Sequence, residues 1–428
     1  MSMKVEILSK KLIKPATPTP PHLRSLKVSS IDQLQPPIHG AFILYYHASN
    51  GNDNGERSKR LEKSLSEILT LYYPIAGRYI KDKQMIDCND EGVEYIEAQV
   101  GGLLAQLLEG EVKVEVLNYL VPYAMPSATT PLAFVQVNKF ECGGLAISLL
   151  ISHNIVDGIA ACMFLNAWSN ACKASGIDNE IVRPTFDIAS YFPPKDNNYN
   201  ITAMKPKRHG APIITKRFVI NGAAISNLKA ITKHQPSRVV VVTAFLWKIL
   251  IDVAQARHGH SRTSIICHSL SLRGKTALPI PDNSFGNLYM VANARFGGGD
   301  GERKVKLNEL VGSLNDSIRK TLADCMKPKN GDDLVSMMID SMREVQEEVE
   351  RGEVDSYTFS SWCRFPLYEA DFGWGKPIWV SSKPKPVEMV SMNDTKDGDG
   401  IEAWVSLNEN NMLLFLNHPE LKAFSSQI

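Results

Sequence analysis

The stretch Ile147-Ser148-Leu149-Leu150-Ile151-Ser152-His153-Asn154-Ile155-Val156-Asp157-Gly158 joins an apolar run to a polar end. The run is apolar on both faces, which predicts a central strand buried from either side. His153 closes the strand, and Asp157 follows four residues later. Ile159, Met163, Phe164, Ala167, Trp168 and Ala171 then share one face of a helix predicted over residues 157–174. A polar ring at the end of a buried strand stands where a cleft begins. Histidine's ordinary pKa near 6.5 suits it to proton transfer, so His153 is a candidate general base. The other reading is a core histidine satisfied by backbone, and the His-to-Asp spacing alone is no rarer than chance. Asp157 also has two readings. It either orients the imidazole, or it opens the helix and pairs with a distant arginine. The second is favoured because aspartate at a helix start is common. Gly158 next to it allows close backbone packing.

Outward from this stretch, strands are predicted at residues 5–14, 41–47, 79–88, 93–98 and 131–137, with a turn at Gly143-Gly144 before residues 145–152. A helix over residues 58–73 is stopped by Pro74. Residues 50–55 read as a surface loop. Residues 192–212 carry Pro193, Pro194, Pro206, Gly210 and Pro212 among asparagines and read as a linker between two domains. Beyond it lie predicted strands at 213–220, 265–272, 288–296, 377–381, 401–407 and 412–416. Helices are predicted at 239–256, capped by Ser237, and at 305–326 and 333–351. Both halves mix α and β, so the expected fold class is α/β (α+β). The division is a domain over 1–191, a linker over 192–212 and a domain over 213–428.

The chain has 428 residues, 44% of them hydrophobic and 22% charged, and a net charge of +1. These values fit a soluble globular protein of two domains. They give no global attraction to nucleic acid or membrane. No apolar run reaches the length of a membrane span. Residues 1–14 lack the apolar core of a secretion signal. Seven cysteines without a CxxC pair predict reduced thiols, a cytoplasmic location and no metal site.

A second cluster is Asp371-Phe372-Gly373-Trp374-Gly375. Two glycines around a tryptophan suggest a tight loop whose backbone approaches something closely. A structural turn with a packed Trp is the plainer reading. Asp371 reads more readily as a hydrogen-bond acceptor fixing the loop than as a second base. Gly297-Gly298-Gly299-Asp300-Gly301 lacks the Lys-Ser/Thr of a phosphate loop and reads as a surface loop. Lys205, Lys207, Arg208, Lys216 and Arg217 read as a solvated linker face that could instead meet phosphates.

Together His153 to Gly158 and Asp371 to Gly375 resemble the HxxxDG and DFGWG motifs of the BAHD family of plant acyl-CoA-dependent acyltransferases. Tyr73 to Arg78, Leu272-Arg273, Phe285-Gly286-Asn287 and Ser361 to Arg364 are similar to family segments. Ser284 stands where the family pattern has tyrosine. Pro18-Thr19-Pro20 and Phe140 to Gly144 resemble the alkaloid acetyltransferase clade, with acylsugar acyltransferases in neighbouring branches. The resemblance implies two chloramphenicol acetyltransferase-like domains, each a mixed sheet with flanking helices, and a channel between them. It implies direct acyl transfer from acyl-CoA, acetyl-CoA foremost, to a small-molecule hydroxyl, with no permanently bound cofactor. His153 would be the base, and Asp371 is named in the family as a second proton acceptor. Asp157, Gly158, Arg273, Gly373, Trp374 and Gly375 would shape the site, Asp157 pairing with Arg273. The Trp374 indole N–H is a candidate oxyanion donor. Ser237, Arg238, Lys275, Ser361 and Arg364 would contact CoA. A monomer is expected. An acylsugar O-acyltransferase or an N-acyltransferase of the same family, and a non-catalytic binding relative, are the alternatives.

Overall fold

The computed structural model describes residues 3–48, 54–109, 114–123, 129–177, 181–195, 212–233, 235–297 and 305–427. Along the chain come β1 (Val5–Ile13), β2 (Ser25–Lys27), α1 (Ser30–Gln33), β3 (His39–Tyr46), α2 (Asn54–Leu71), β4 (Arg78–Ile80) and β5 (Met85–Asp87). Next are β6 (Val93–Val100), α3 (Leu104–Leu108), β7 (Ala133–Phe140), β8 (Leu145–Ser152), α4 (Gly158–Ala174) and α5 (Ile188–Tyr191). Then follow β9 (Ile213–Ile220), α6 (Gly222–Ala230), α7 (Arg238–His258), β10 (Thr263–Ser271), β11 (Tyr289–Phe296), α8 (Leu307–Cys325) and α9 (Gly331–Glu350). The chain closes with β12 (Val354–Ser361), β13 (Trp379–Ser381), β14 (Met389–Asp394), β15 (Ile401–Asn408), α10 (Glu409–Asn417), α11 (Pro419–Phe424) and β16 (Ser426–Gln427).

The chain forms two compact units. The first takes Met1–Tyr199, Ile280–Asn287 and Phe365–Lys383, and the second takes the remainder. The expected division at 191 and 213 therefore differs in one important respect. The Asp371–Gly375 loop lies in the first unit, not with the C-terminal half. The physical reason is β13, which pairs with β3, Trp379 opposite Tyr45 and Ser381 opposite Ile43. Most of the expected linker, residues 196–211, lies outside the described residues, as do Lys205, Lys207 and Arg208.

The first unit holds a six-stranded sheet in the order β1-β6-β7-β8-β3-β13 and a small sheet β2-β5-β4. β8 is an interior strand with all eight residues buried, as its apolar run predicted. α2 and α4 pack together, and α2 also packs on β1 of the large sheet. The indole N–H of Trp168 on α4 donates to Leu61 O (3.2 Å) and Ser64 Oγ (3.1 Å) of α2. Asn54 and Gly55, expected in a loop, already belong to α2; residues 50–53 lie outside the described residues.

The second unit holds a seven-stranded sheet, β11-β10-β12-β14-β15-β9-β16. Its core is built on α7, where Phe245, Leu246 and Trp247 are almost wholly buried. α7 is long and apolar enough to cross a membrane, but 78% of its most apolar window is buried within the protein, as in a core helix. Arg217, expected on a solvated face, makes a two-pronged ion pair with Glu402 across β9 and β15 (2.8 Å for each contact). The strand expected at 412–416 is instead helix α10. Asn408 caps it by accepting from Asn411 N–H (3.0 Å). Met412 and Phe415 are buried three residues apart, a helical period that a short apolar run conceals. β12 and β14 were not foreseen; their serines, Asp355 and Asp394 break the apolar pattern. Of the glycine-rich loop, residues 298–301 lie outside the described residues.

Candidate active site

His153 sits one residue beyond β8 and is held through its main chain. Its N–H donates to Ile38 O (2.8 Å). Its carbonyl accepts from Asn287 Nδ2 (2.7 Å). The same amide nitrogen donates to Asp32 Oδ1 (2.8 Å), which also accepts from Asn287 N–H (3.1 Å). Asp32 Oδ2 accepts from the N–H and hydroxyl of Ser29 (2.9 and 2.7 Å). Ser29 in turn caps α1 by accepting from Asp32 N–H (3.1 Å). Asp32 is buried. Burial raises its pKa, and the bonds from Asn287 and Ser29 oppose that rise. Thus a buried carboxylate, through one amide, ties α1 and segment Ile280–Asn287 to the residue that follows β8. Sequence reading noticed Asn287 only as part of a family segment and missed Asp32. The Ser29-x-x-Asp32 spacing of a capping box was the available signal.

Segment Ile280–Asn287 is docked by its own contacts. Ser284, buried where the family pattern has tyrosine, donates to Asp187 Oδ1 (2.8 Å) and lies 3.2 Å from Thr185 Oγ1. Phe285 meets Tyr72 and Phe186 edge to face, with centroids 5.3 and 5.7 Å apart. Gly286 has φ +154°, and a Cβ there would stand 2.8 Å from Ile188 Cδ1. Tyr72 and Phe285 therefore pack beside the Tyr73–Arg78 segment read from the sequence.

Asp157 caps α4, its Oδ1 accepting from Ala160 N–H (2.8 Å). This is the helix-start role favoured from sequence. A Cβ on Gly158 would stand 2.6 Å from Phe365 Cε2, so glycine lets Phe365 lie against the first turn of α4. The segment from Phe365 then runs along α4. Asn166 Nδ2 donates to Pro366 O (3.2 Å). Near the far end of α4, Lys173 Nζ contacts Asp371 Oδ2 (2.8 Å).

The Asp371–Gly375 loop is thus at the end of α4 opposite His153. α4 has 17 residues, which at the α-helical rise is about 25 Å. Asp371 Oδ1 accepts from Gly373 N–H (2.8 Å) and Gly375 N–H (2.9 Å). Burial works to raise the Asp371 pKa, but Lys173 and the two glycine amides outweigh it and hold the carboxyl below its usual range. Gly373 has φ +98°, and a Cβ there would meet Arg60 Nη2 at 2.5 Å. That guanidinium donates to Cys172 O (3.0 Å) and Phe372 O (3.2 Å). Trp374 stacks on Phe372, with Arg57 and Arg60 over its ring (5.2 and 5.5 Å). Asp371 thus holds the loop-fixing place favoured from its sequence, and the Trp374 ring packs the loop against α2, both at the end of α4 away from Gly158.

All five expected CoA contacts lie in the second unit, four of them around the start of α7 and the Ser361–Arg364 turn. Ser237 caps α7 by accepting from Val240 N–H (3.2 Å). Arg238 next to it pairs with Asp394 (2.9 Å) and donates to the carbonyls of Gly398 and Gly400. Asp394 also accepts from Arg364 N–H (2.6 Å), where φ is +68°. Ser361 Oγ accepts from Cys363 N–H (3.3 Å) in the same connection. An unforeseen carboxylate, Asp394, thus links Arg238 to the Ser361–Arg364 turn. Lys275 lies elsewhere, on the turn after β10, where its N–H donates to Leu272 O (2.9 Å). Arg273 stands in that turn too, its N–H donating to Ser271 Oγ (3.3 Å).

A family model described as "Transferase family" matches residues 3–422. The chain belongs to this family, the BAHD acyltransferases. Acetyl-CoA-benzylalcohol acetyltransferase of Clarkia breweri is 37% identical over 445 residues, covering 99% of this chain and all of the relative. A pelargonidin glucoside 4'''-malonyltransferase of Salvia splendens is 34% identical over 433 residues, covering 99% of this chain and all of that one. The crystal structure of vinorine synthase superposes with a TM-score of 0.85 at 32% identity, covering 99% of both chains. The chain is therefore an acyltransferase with an acyl-CoA co-substrate and the mixed α/β fold of that structure.

Proposed function

We propose that this acyltransferase moves an acyl group, acetyl foremost, from CoA to a hydroxyl of a plant specialised metabolite such as an alkaloid, with His153 as general base. The observation that carries the proposal is His153 itself, placed at the end of a wholly buried strand and clamped by Ile38 and Asn287. An unprotonated ring nitrogen takes the acceptor's proton as its oxygen attacks the thioester carbonyl. The tetrahedral intermediate collapses, the C–S bond breaks, and His153 returns the proton to the departing thiolate. No acyl-enzyme forms, so orienting two substrates together supplies much of the acceleration.

Ser237, Arg238, Ser361 and Arg364 are proposed to meet the CoA moiety. A capped N-terminus of a 21-residue helix, with a guanidinium in its first turn, suits phosphate. Lys275, on the turn after β10, is the fifth proposed CoA contact. Asp157 and Gly158 hold the start of α4, and the Asp371–Gly375 loop braces its end. A monomer in the cytoplasm remains our proposal. Relatives that use acetyl and malonyl donors show that membership alone leaves the acyl group open. Thiol release from acetyl-CoA with a panel of alcohols and amines tests the reading, with mass spectrometry of the product. Ester formation is expected; amide products, or no transfer from any acyl-CoA, would contradict it.

A further inference from the structure

Every partner of the Asp32 carboxylate is a hydrogen-bond donor. Oδ1 accepts from the main-chain and side-chain nitrogens of Asn287 (3.1 and 2.8 Å). Oδ2 accepts from the main-chain nitrogen and hydroxyl of Ser29 (2.9 and 2.7 Å). Three of these partners are N–H groups, which cannot accept. The arrangement suits an ionised carboxylate. A neutral acid would find only the Ser29 hydroxyl to donate to. Burying a charge costs stability, and here the charge decides how Asn287 is turned.

A side-chain amide can face a neighbour with its oxygen or with its nitrogen. Asn287 is wholly buried and meets two acceptors with one nitrogen, Asp32 Oδ1 at 2.8 Å and the His153 carbonyl at 2.7 Å. An ionised Asp32 accepts only, so it draws the nitrogen towards itself and turns the oxygen away. The remaining hydrogen of that nitrogen then reaches His153. Asn287 Oδ1 has no hydrogen-bond partner among the described residues. The amide is therefore oriented by Asp32 and the His153 carbonyl, and not by its own oxygen.

We propose that Asp32 is a positioning residue for acyl transfer. As an acceptor-only carboxylate it holds the Asn287 amide with its hydrogens towards the His153 carbonyl, and so sets where His153 stands. It acts through Asn287 and not on the substrates. The proposal rests on His153 being the base and adds to that reading the group that keeps the base in place.

Exchanging the two side chains separates this role from a merely structural one. Asp32→Asn offers its four donors one acceptor oxygen in place of two. Asn287→Asp sets two carboxylates against each other. The double variant Asp32→Asn with Asn287→Asp restores an amide-to-carboxylate pair, but leaves the His153 carbonyl without a side-chain donor. Thermal unfolding and steady-state kinetics are measured on the full chain with acetyl-CoA and the best alcohol acceptor. Asp32→Asn is expected to lower kcat about tenfold or more, with both KM values within about twofold. The double variant should regain melting temperature over Asn287→Asp while its kcat stays low. Asp32→Glu keeps the carboxylate, and a cavity of about 20 Å³ lined by Asp32, Ile155 and Phe285 offers room for the added methylene. It should turn over faster than Asn287→Ala, and this comparison decides if neither Asp32→Asn nor the double variant folds. The proposal is overturned if folded Asp32→Asn keeps the unaltered kcat, if kcat recovers with the melting temperature in the double variant, or if Asp32→Glu is no faster than Asn287→Ala. The kcat of His153→Ala reports separately on the base: an active His153→Ala protein removes that reading, whereas an inactive one beside a fully active Asp32→Asn removes only the role of Asp32.

Discussion

Asn287 spends both amide hydrogens at once, on the carbonyl of His153 and on the buried carboxylate of Asp32. Asn287→Ala leaves both acceptors short of a donor, a loss of about 1–3 kcal/mol for buried groups. We expect kcat to fall by more than KM rises, because His153 loses its anchor while the substrates keep theirs. An unchanged kcat would show the clamp to be idle. His268 on β10 gives a different residue-scale prediction, for stability. It is almost wholly buried, and burial pushes its pKa down to about 4. The unfolded chain binds this proton near pH 6.5 and the folded chain only near 4. Stability should therefore fall as pH drops from 6.5 to about 4, by roughly 3 kcal/mol from this group, and level off below. Asp371, held below its usual range, adds a further loss at still lower pH. Denaturant unfolding of His268→Gln across this range should show a flatter profile; an identical profile would remove His268 from the account. His153 was legible as a strand-end histidine because its strand is continuous and apolar. Asp32 was not, since its value lies in partners 255 residues away in sequence.

α4 has a sequence-local start and a sequence-distant covering. Asp157 as its cap and the apolar face of the helix follow from neighbouring residues, and both were readable. What lies on α4 was not: Phe365 reaches Gly158 across a chain separation that periodicity cannot see. Gly158→Ala should place a methyl against that ring and destabilise the protein by about 1–3 kcal/mol. Phe365→Leu in the same chain should restore part of the loss. Thermal unfolding of the single and double variants measures this, and additive effects would argue against the contact. Misreading α10 as a strand has the same root. Its apolar run fits either period, and the Asn408 cap is the local signal that decides for helix. The Asp371–Gly375 motif was legible as a tight loop from its glycines, but its distance from His153 appears only when α4 is laid out with Lys173 at the loop and Gly158 near the histidine.

For the whole molecule, the two-unit organisation was readable from length and mixed pattern, but the boundaries were not. The chain leaves and re-enters the first unit, which draws in Ile280–Asn287 and Phe365–Lys383. A fragment of residues 1–212 lacks Asn287, β13 and the brace on α4. We expect it to show no cooperative unfolding transition, whereas adding residues 280–287 and 365–383 through short linkers should restore one. A cooperative, stable 1–212 fragment would contradict the division described above. His153 is proposed to perform the proton transfer on which acylation depends. Its most direct test is kcat for His153→Ala, with acetyl-CoA and the best acceptor found, beside the thermal unfolding of the same protein. A loss of about a thousandfold or more at an unchanged melting temperature is expected; turnover near the unaltered rate in a folded His153→Ala protein would rule out His153 as the base.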